Sequence, residues 1–252
     1  VGGVQSVFGS TTSDTLVGGV QNIGSGATAI ATIVSAGNEN VLSGGRTVST
    51  TVLLGGFETV SAGGIASGTM LSAGELFVAS GGLASGTVIG NIGREQVLAG
   101  GTASSTVIRG GGDEITNAGG TDVGARISGG DQTVFGTAIG DTIVAGLQTV
   151  SSGGVASNTI VSGGEQDVYG SANATTLVRG GTQDVEAGGS ATSTIFSGGT
   201  QNVEVGAEVD GANVVSGAQN VFGSANGTIV SAGGTQNVLA GGTASGTTLR
   251  LG

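Results

Sequence analysis

One phrase recurs from end to end of the chain. It runs Gln-x-Val, a Gly-Gly pair, an Ala, then Thr and two aliphatic residues, as in Thr235-Gln236-Asn237-Val238. Aligned on its aliphatic residue, the copies fall at Val7, Ile23, Val41, Val60, Val78, Val97, Ile115, Val134, Val150, Val168, Val185, Val203, Val221 and Val238. Consecutive anchors are 16 to 19 residues apart, and no stretch lies outside the pattern. A unit this short cannot bury its own apolar residues, whereas stacked copies can.

Each unit holds short β-branched segments punctuated by glycine, and none carries the i, i+3, i+4 spacing of an amphipathic helix. The expected fold is therefore all-β: a single-stranded parallel β-helix, or β-solenoid, of about 14 rungs, in which each strand pairs with its copy above and below. The uneven fall of the aliphatics favours the right-handed form. Its interior should be a Val file, an Ala file at a tight corner and an Ile/Leu/Val file. Glycine serves the corners, where positive φ is needed. Proline would remove ladder donors, and the chain has none. Residues 1–252 read as one continuous segment, with irregular rungs near 112–130 and 204–217. Four short rungs carry an aromatic-Gly turn, at Phe8, Phe135, Tyr169 and Phe222. The ring there is expected to cover a shortened corner.

Composition removes whole classes of function. Cys, His and Lys are absent, so there is no disulfide framework, no thiolate or imidazole metal site, no Ser-His-Asp triad and no Schiff-base lysine. A net charge of −11 with six arginines argues against nucleic acid. No apolar run approaches the ~20 residues of a transmembrane helix, so no membrane contact is expected of this segment. Disorder does not fit the evenly spread aliphatics and the mean hydropathy of +0.32. Calcium-binding loops are missing, and no cofactor is expected. Rungs of 16 to 19 residues leave no room for the loops on which β-helical enzymes carry their chemistry, so the chain is not expected to be an enzyme.

Two polar files run through the repeat. Two positions before the anchor lie Gln5, Gln21, Gln132, Gln148, Gln166, Gln183, Gln201, Gln219 and Gln236, with Glu39, Glu58, Glu95 and Asp113 in four further places and Leu76 as the exception. Stacked amides can hydrogen-bond along such a file. Because a dry interior rejects unpartnered carboxylates, the file is expected at a solvent-reaching corner. Its Gln132 to Gln236 members then form a candidate contact ladder. The second file, ahead of the two aliphatics, includes Thr51, Thr69, Thr87, Thr106, Thr159, Thr176 and Thr194. It is expected on an exposed strand face, as cross-rung Thr pairs or as sites of contact or O-glycosylation.

Gly233-Gly234-Thr235-Gln236-Asn237-Val238-Leu239-Ala240-Gly241-Gly242-Thr243-Ala244 and Gly180-Gly181-Thr182-Gln183-Asp184-Val185-Glu186-Ala187-Gly188-Gly189-Ser190-Ala191 resemble the passenger repeats of the AIDA-I and antigen 43 group of self-associating autotransporter adhesins. The resemblance covers essentially the whole chain. It implies a β-helix displayed outside a Gram-negative cell after export through the periplasm, and tethered by a translocator barrel that this segment lacks. It also implies autoaggregation, biofilm formation and attachment to host proteins or glycans, with sugars on Ser or Thr in some members. The expected partner is a second copy of the chain. The rival readings are an inert stalk and, third, a carbohydrate-active β-helical enzyme.

Overall fold

The computed structural model describes residues 2–251. Every regular element among them is a β-strand, and the strands pair in parallel from one coil to the next. The coils group into two compact units, Val1–Gln132 and Thr133–Gly252, each a stack of seven anchors.

One coil of the first unit illustrates the rest. Phe57–Val60 alternates out, in, out, in, so Glu58 and Val60 face the interior. Ile65–Ser67 buries only its central Ala66, and Met70–Ser72 buries Leu71. The expected Val, Ala and Ile/Leu/Val files are all present: Val41, Val60, Val78 and Val97 are fully buried, as are Ala84 and Ala103 and Ile89 and Ile108. Phe196 takes the aliphatic place in one coil of the second unit and is also fully buried.

Two devices turn the chain. At Gly100-Gly101 the first glycine sits at φ +75° and its N–H donates to Gly119 O of the next coil at 2.7 Å. A Cβ on Gly101 would lie 2.3 Å from the Val78 carbonyl oxygen, so the pair divides the work between left-handed backbone and close approach. The second corner uses one left-handed residue per coil, and it need not be glycine. Ser13, Ala31, Ser49, Ser105, Asn158, Ala174 and Ser193 hold φ of 55–58° there, in register with Gly68, Gly86 and Gly124.

The anchor expected at Ile115 is displaced by one. Arg94–Val97 pairs with Asp113–Thr116 so that Val97 faces Thr116 and Glu95 faces Glu114. Thr116 and Glu114 are buried, and Ile115 and Asp113 point outward. A slip of one residue exchanges the faces of a strand, and the aliphatic Ile115 disguises the true register. The ladder shifts register at Arg109 against Ser128 and Gly129, at Val178 against Gly198, and at Ser197 between Ile195–Val203 and Asn213–Val221.

Candidate functional site

The Gln file is internal. Gln148, Gln166, Gln183, Gln201 and Gln219 are fully buried, Gln132 is 1% exposed and Gln236 is half-buried. The expectation of a solvent-reaching corner is therefore corrected, and these amides are not a contact surface. In the second unit Gln148 donates to Asp141 Oδ2 at 2.8 Å, and from Gln166 on each amide donates to the carbonyl oxygen one coil earlier: Gln166 to Gln148 at 2.6 Å, Gln183 to Gln166 at 2.7 Å, Gln201 to Gln183 at 2.7 Å, Gln219 to Gln201 at 2.9 Å and Gln236 to Gln219 at 2.9 Å.

Facing this ladder, across the interior, is a threonine file. Gln183 shows the resulting arithmetic. Its Nε2 donates to Gln166 Oε1 and to Thr175 Oγ1, and its Oε1 accepts from Gln201 Nε2 and Thr194 Oγ1. Both donors and both lone pairs are used, which is the full capacity of an amide. Complete satisfaction is what lets a polar file occupy a dry interior.

The threonine file is the second correction. Thr69, Thr87, Thr106, Thr159 and Thr194 are at most 1% exposed, so their hydroxyls reach neither a partner nor a modifying enzyme. Thr51 and Thr176 are half-buried and belong to the neighbouring outward position; the buried members of their coils are Thr50 and Thr175. The Thr50-Thr51 and Thr175-Thr176 doublets hide this alternation in the sequence.

In the first unit the same interior file carries acids. Glu39, Glu58, Glu95 and Glu114 are fully buried, with Leu76 between the two pairs. Threonines serve them as they serve the amides. Thr50 donates to Glu39 Oε2 at 2.8 Å, Thr47 and Thr69 to the two oxygens of Glu58 at 2.6 and 2.8 Å, and Thr87 and Thr106 to those of Glu95 at 3.2 and 3.0 Å. Burial, reinforced by the Glu58 charge, pushes the Glu39 carboxyl up to about 8. Burial likewise raises Glu58, against the opposing pull of Thr47 and Thr69, and lifts Glu95 to about 7.

The outward side of the anchor strands carries a different polar file, one residue before the anchor. Asn40 donates to Asn22 at 2.8 Å. Asn202 donates to Asp184 at 2.6 Å, and Asn220 to Asn202 and Asn237 to Asn220 at 2.9 Å each. An acidic cluster, Glu165, Asp167 and Asp184, brings carboxylate oxygens within 4.8 Å of one another on this side. The hydrogen bond to Asp184 raises Glu165, and partial burial with the Asp184 charge raises Asp167. Phe57 and Phe77, on adjacent coils, stack with centroids 6.3 Å apart. Of the aromatic-Gly corners, Phe8, Phe135 and Tyr169 are exposed and Phe222 is half-buried; the Phe8 ring lies over Gly24 of the next coil.

The two outer surfaces differ in charge. On the first unit Arg46, Arg94, Arg109 and Arg126 are set against three acids outside the interior, Glu75, Asp113 and Asp131, with Arg94 and Asp113 paired at 2.9 Å. On the second, Arg179 and Arg250 face seven.

The chain is similar to a solved structure described as the TibC-catalyzed hyper-glycosylated TibA55-350 fragment, with 35% identity, a TM-score of 0.82, and coverage of 98% of this chain and 93% of that one. No protein-family model matches the chain, and no curated protein matches it.

Proposed function

The chain belongs to the AIDA-I-type autotransporter adhesin passengers, and from that premise we propose that it is displayed on the cell surface and associates with further copies of itself through its outward files. The observation that carries this reading is the outward asparagine ladder. Asn202 uses one N–H and its carbonyl oxygen on its neighbours. One N–H and one lone pair remain for a partner, and the same contact recurs in Asn220 two strands on. Repetition at ~4.8 Å makes every contact after the first effectively intramolecular.

Charge opposes the docking. The formal charge of −11 and sequence pI of about 4.1 make association strongest near that pH or in salt. The near-balanced surface of the first unit meets less repulsion than the acidic second unit. Host proteins or glycans are the second class of partner. O-glycosylation belongs on outward hydroxyls such as Thr51, Thr176, Ser67 and Ser85, which are half-buried, and not on the interior threonines.

Sedimentation velocity tests the reading. Wild-type chain should form reversible oligomers as pH falls toward the pI or salt rises. Changing Asn202, Asn220 and Asn237 together to Asp should abolish them at neutral pH while leaving the fold intact. A wild-type chain that stays monomeric throughout is a spacer.

A further inference from the structure

In the second unit the ladder has a direction: each coil donates an amide N–H to the carbonyl oxygen of the coil before it. The first unit opens the same way, with Gln21 Nε2 donating to Gln5 Oε1 at 2.7 Å. The next donor should come from residue 39, which faces Gln21, and the one after it from residue 58, which faces Glu39. Both are glutamates, and an ionised carboxylate has no hydrogen to give.

One interior acceptor records the missing donor. Gln21 Oε1 is buried with no hydrogen-bond partner. It is the atom that receives the amide hydrogen of the following coil wherever glutamine continues the file. Thr50 donates to Glu39 Oε2 as Thr194 donates to the coil-accepting oxygen of Gln183, so Glu39 Oε1 stands where an amide N–H would, on the side of Gln21. An orphaned buried acceptor loses its hydration with nothing in return and destabilises the fold. Two vicinal carboxylates in a dry interior cost more, unless one carries a proton.

No cation is built in to offset them. All four arginines of the unit are on its outside. The groups around Glu39 are Glu58 on one side, Gln21 on the other, Thr32 and Thr50 across the interior, and Asp14. Those around Glu58 are Glu39, Leu76, Thr47 and Thr69, and its charge also reaches Glu95.

We propose that the first unit holds a proton in its interior: the Glu39 carboxyl, beside the Glu58 carboxylate, is protonated at Oε1 in the folded chain and donates to Gln21 Oε1, as glutamine amides do in the second unit. No bond is made or broken beyond O–H. The proton taken from water on folding at neutral pH is returned on unfolding.

The consequence is a pH dependence confined to one unit. A carboxyl whose folded-state pKa is raised stabilises the fold fully below its unfolded value. That stability is lost progressively as pH rises through the interval up to the folded value, for Glu39 from 4.5 to about 8. Within the interval the unfolding equilibrium of the first unit should shift by up to about tenfold per pH unit for each proton held. The second unit, with amides in the file, should not share the shift.

Carboxyl-carbon NMR on the full chain tests protonation directly. The Glu39 and Glu58 resonances should report at least one protonated carboxyl at neutral pH. Hydrogen exchange, corrected for intrinsic rate, should show protection falling with rising pH in 2–132 and holding in 133–251. Glu39→Gln should make the dependence of the first unit shallower, with Glu58 and Glu95 remaining, and Gln183→Glu should import one into the second. Both carboxyls ionised at neutral pH in wild-type chain would overturn the proposal. So would protection of the first unit that is constant or rises over the interval. Loss of the first unit on chelation with recovery in calcium would assign the site to a metal cation and also overturn it. Failure of Glu39→Gln to fold at any pH counts against it too, because an amide is the donor the ladder calls for. None of these outcomes touches self-association, which rests on the outward files.

Discussion

The two units share one backbone and fill its central file with different chemistry. In the second unit, glutamine supplies a donor and an acceptor to each neighbour, and the file closes on itself. In the first, glutamate supplies two acceptors, and Leu76 interrupts the file altogether. The parallel ladder, the corners and the apolar files are the same in both. Differences in behaviour between the units therefore report on the polar file and not on the fold. A repeat protein can change the response of one stretch to solution conditions by a change as small as an amide for a carboxyl.

The strongest way to break the comparison is to break the closed ladder. Gln183→Ala removes a side chain that makes four hydrogen bonds. It takes one of two donors from Gln166 Oε1, which keeps Thr175, strands one N–H of Gln201 and leaves a void. The expected cost is about 3–5 kcal/mol of the stability of the second unit. Gln183→Leu copies the arrangement around Leu76 and should cost less, since it refills the volume. Urea unfolding followed by hydrogen exchange reads both, with the first unit as an internal reference. Equal effects from the two substitutions would mean that volume contributes little and satisfaction nearly everything.

A smaller change should narrow the difference from the other side. Leu76→Gln places an amide between Glu58 and Glu95, with its Nε2 toward Glu58 and its Oε1 toward Glu95. It restores the direction of the ladder across the gap at nearly constant volume. The first unit should gain about 1 kcal/mol near pH 7, and its loss of stability with rising pH should become shallower. Thermal melts of the variant across pH check this. Destabilisation at every pH would show that Leu76 is there to separate the acid pairs.

Much of this was legible in the sequence. The period, the parallel stacking and the three apolar files follow from residues such as Val97, Ala103 and Ile108. The side on which the polar files lie was not. Glu39, Glu58 and Glu95 suggested water because a carboxylate is costly to bury. The sequence does not display the threonines eight to eleven residues away that meet them, nor the raised pKa values that allow protonation. A clue was present: the file alternates with outward Asn and Thr in phase with the buried Val anchor, and period-two alternation places residues two apart on one face. Gln two before Val had to share the interior. The threonine file failed for the opposite reason. Thr50-Thr51 and Thr175-Thr176 offer a threonine on both faces, and composition cannot choose between them. The aromatic corners and the acidic cluster at Glu165 depend on which outward neighbours coincide across coils, and coils of unequal length hide that.

The smallest effect is the one expected to be identical in both units. Ala31 and Ala174 occupy the left-handed corner of their coils, each with φ of 55°. A Cβ in that conformation costs roughly 1–2 kcal/mol, whereas glycine adopts it freely but loses about 0.4–1 kcal/mol more through the entropy of the unfolded chain. The difference leaves a gain of a few tenths to about 1 kcal/mol for Ala31→Gly or Ala174→Gly. Because the corner is backbone and neither alanine side chain is buried in the interior, the gain should be the same in each unit and independent of pH. Denaturation midpoints of the two variants at acid and neutral pH measure it. A gain at Ala31 that varies with pH while that at Ala174 does not would mean that the protonation state of the interior file reaches the corner, and that the two units differ in backbone after all.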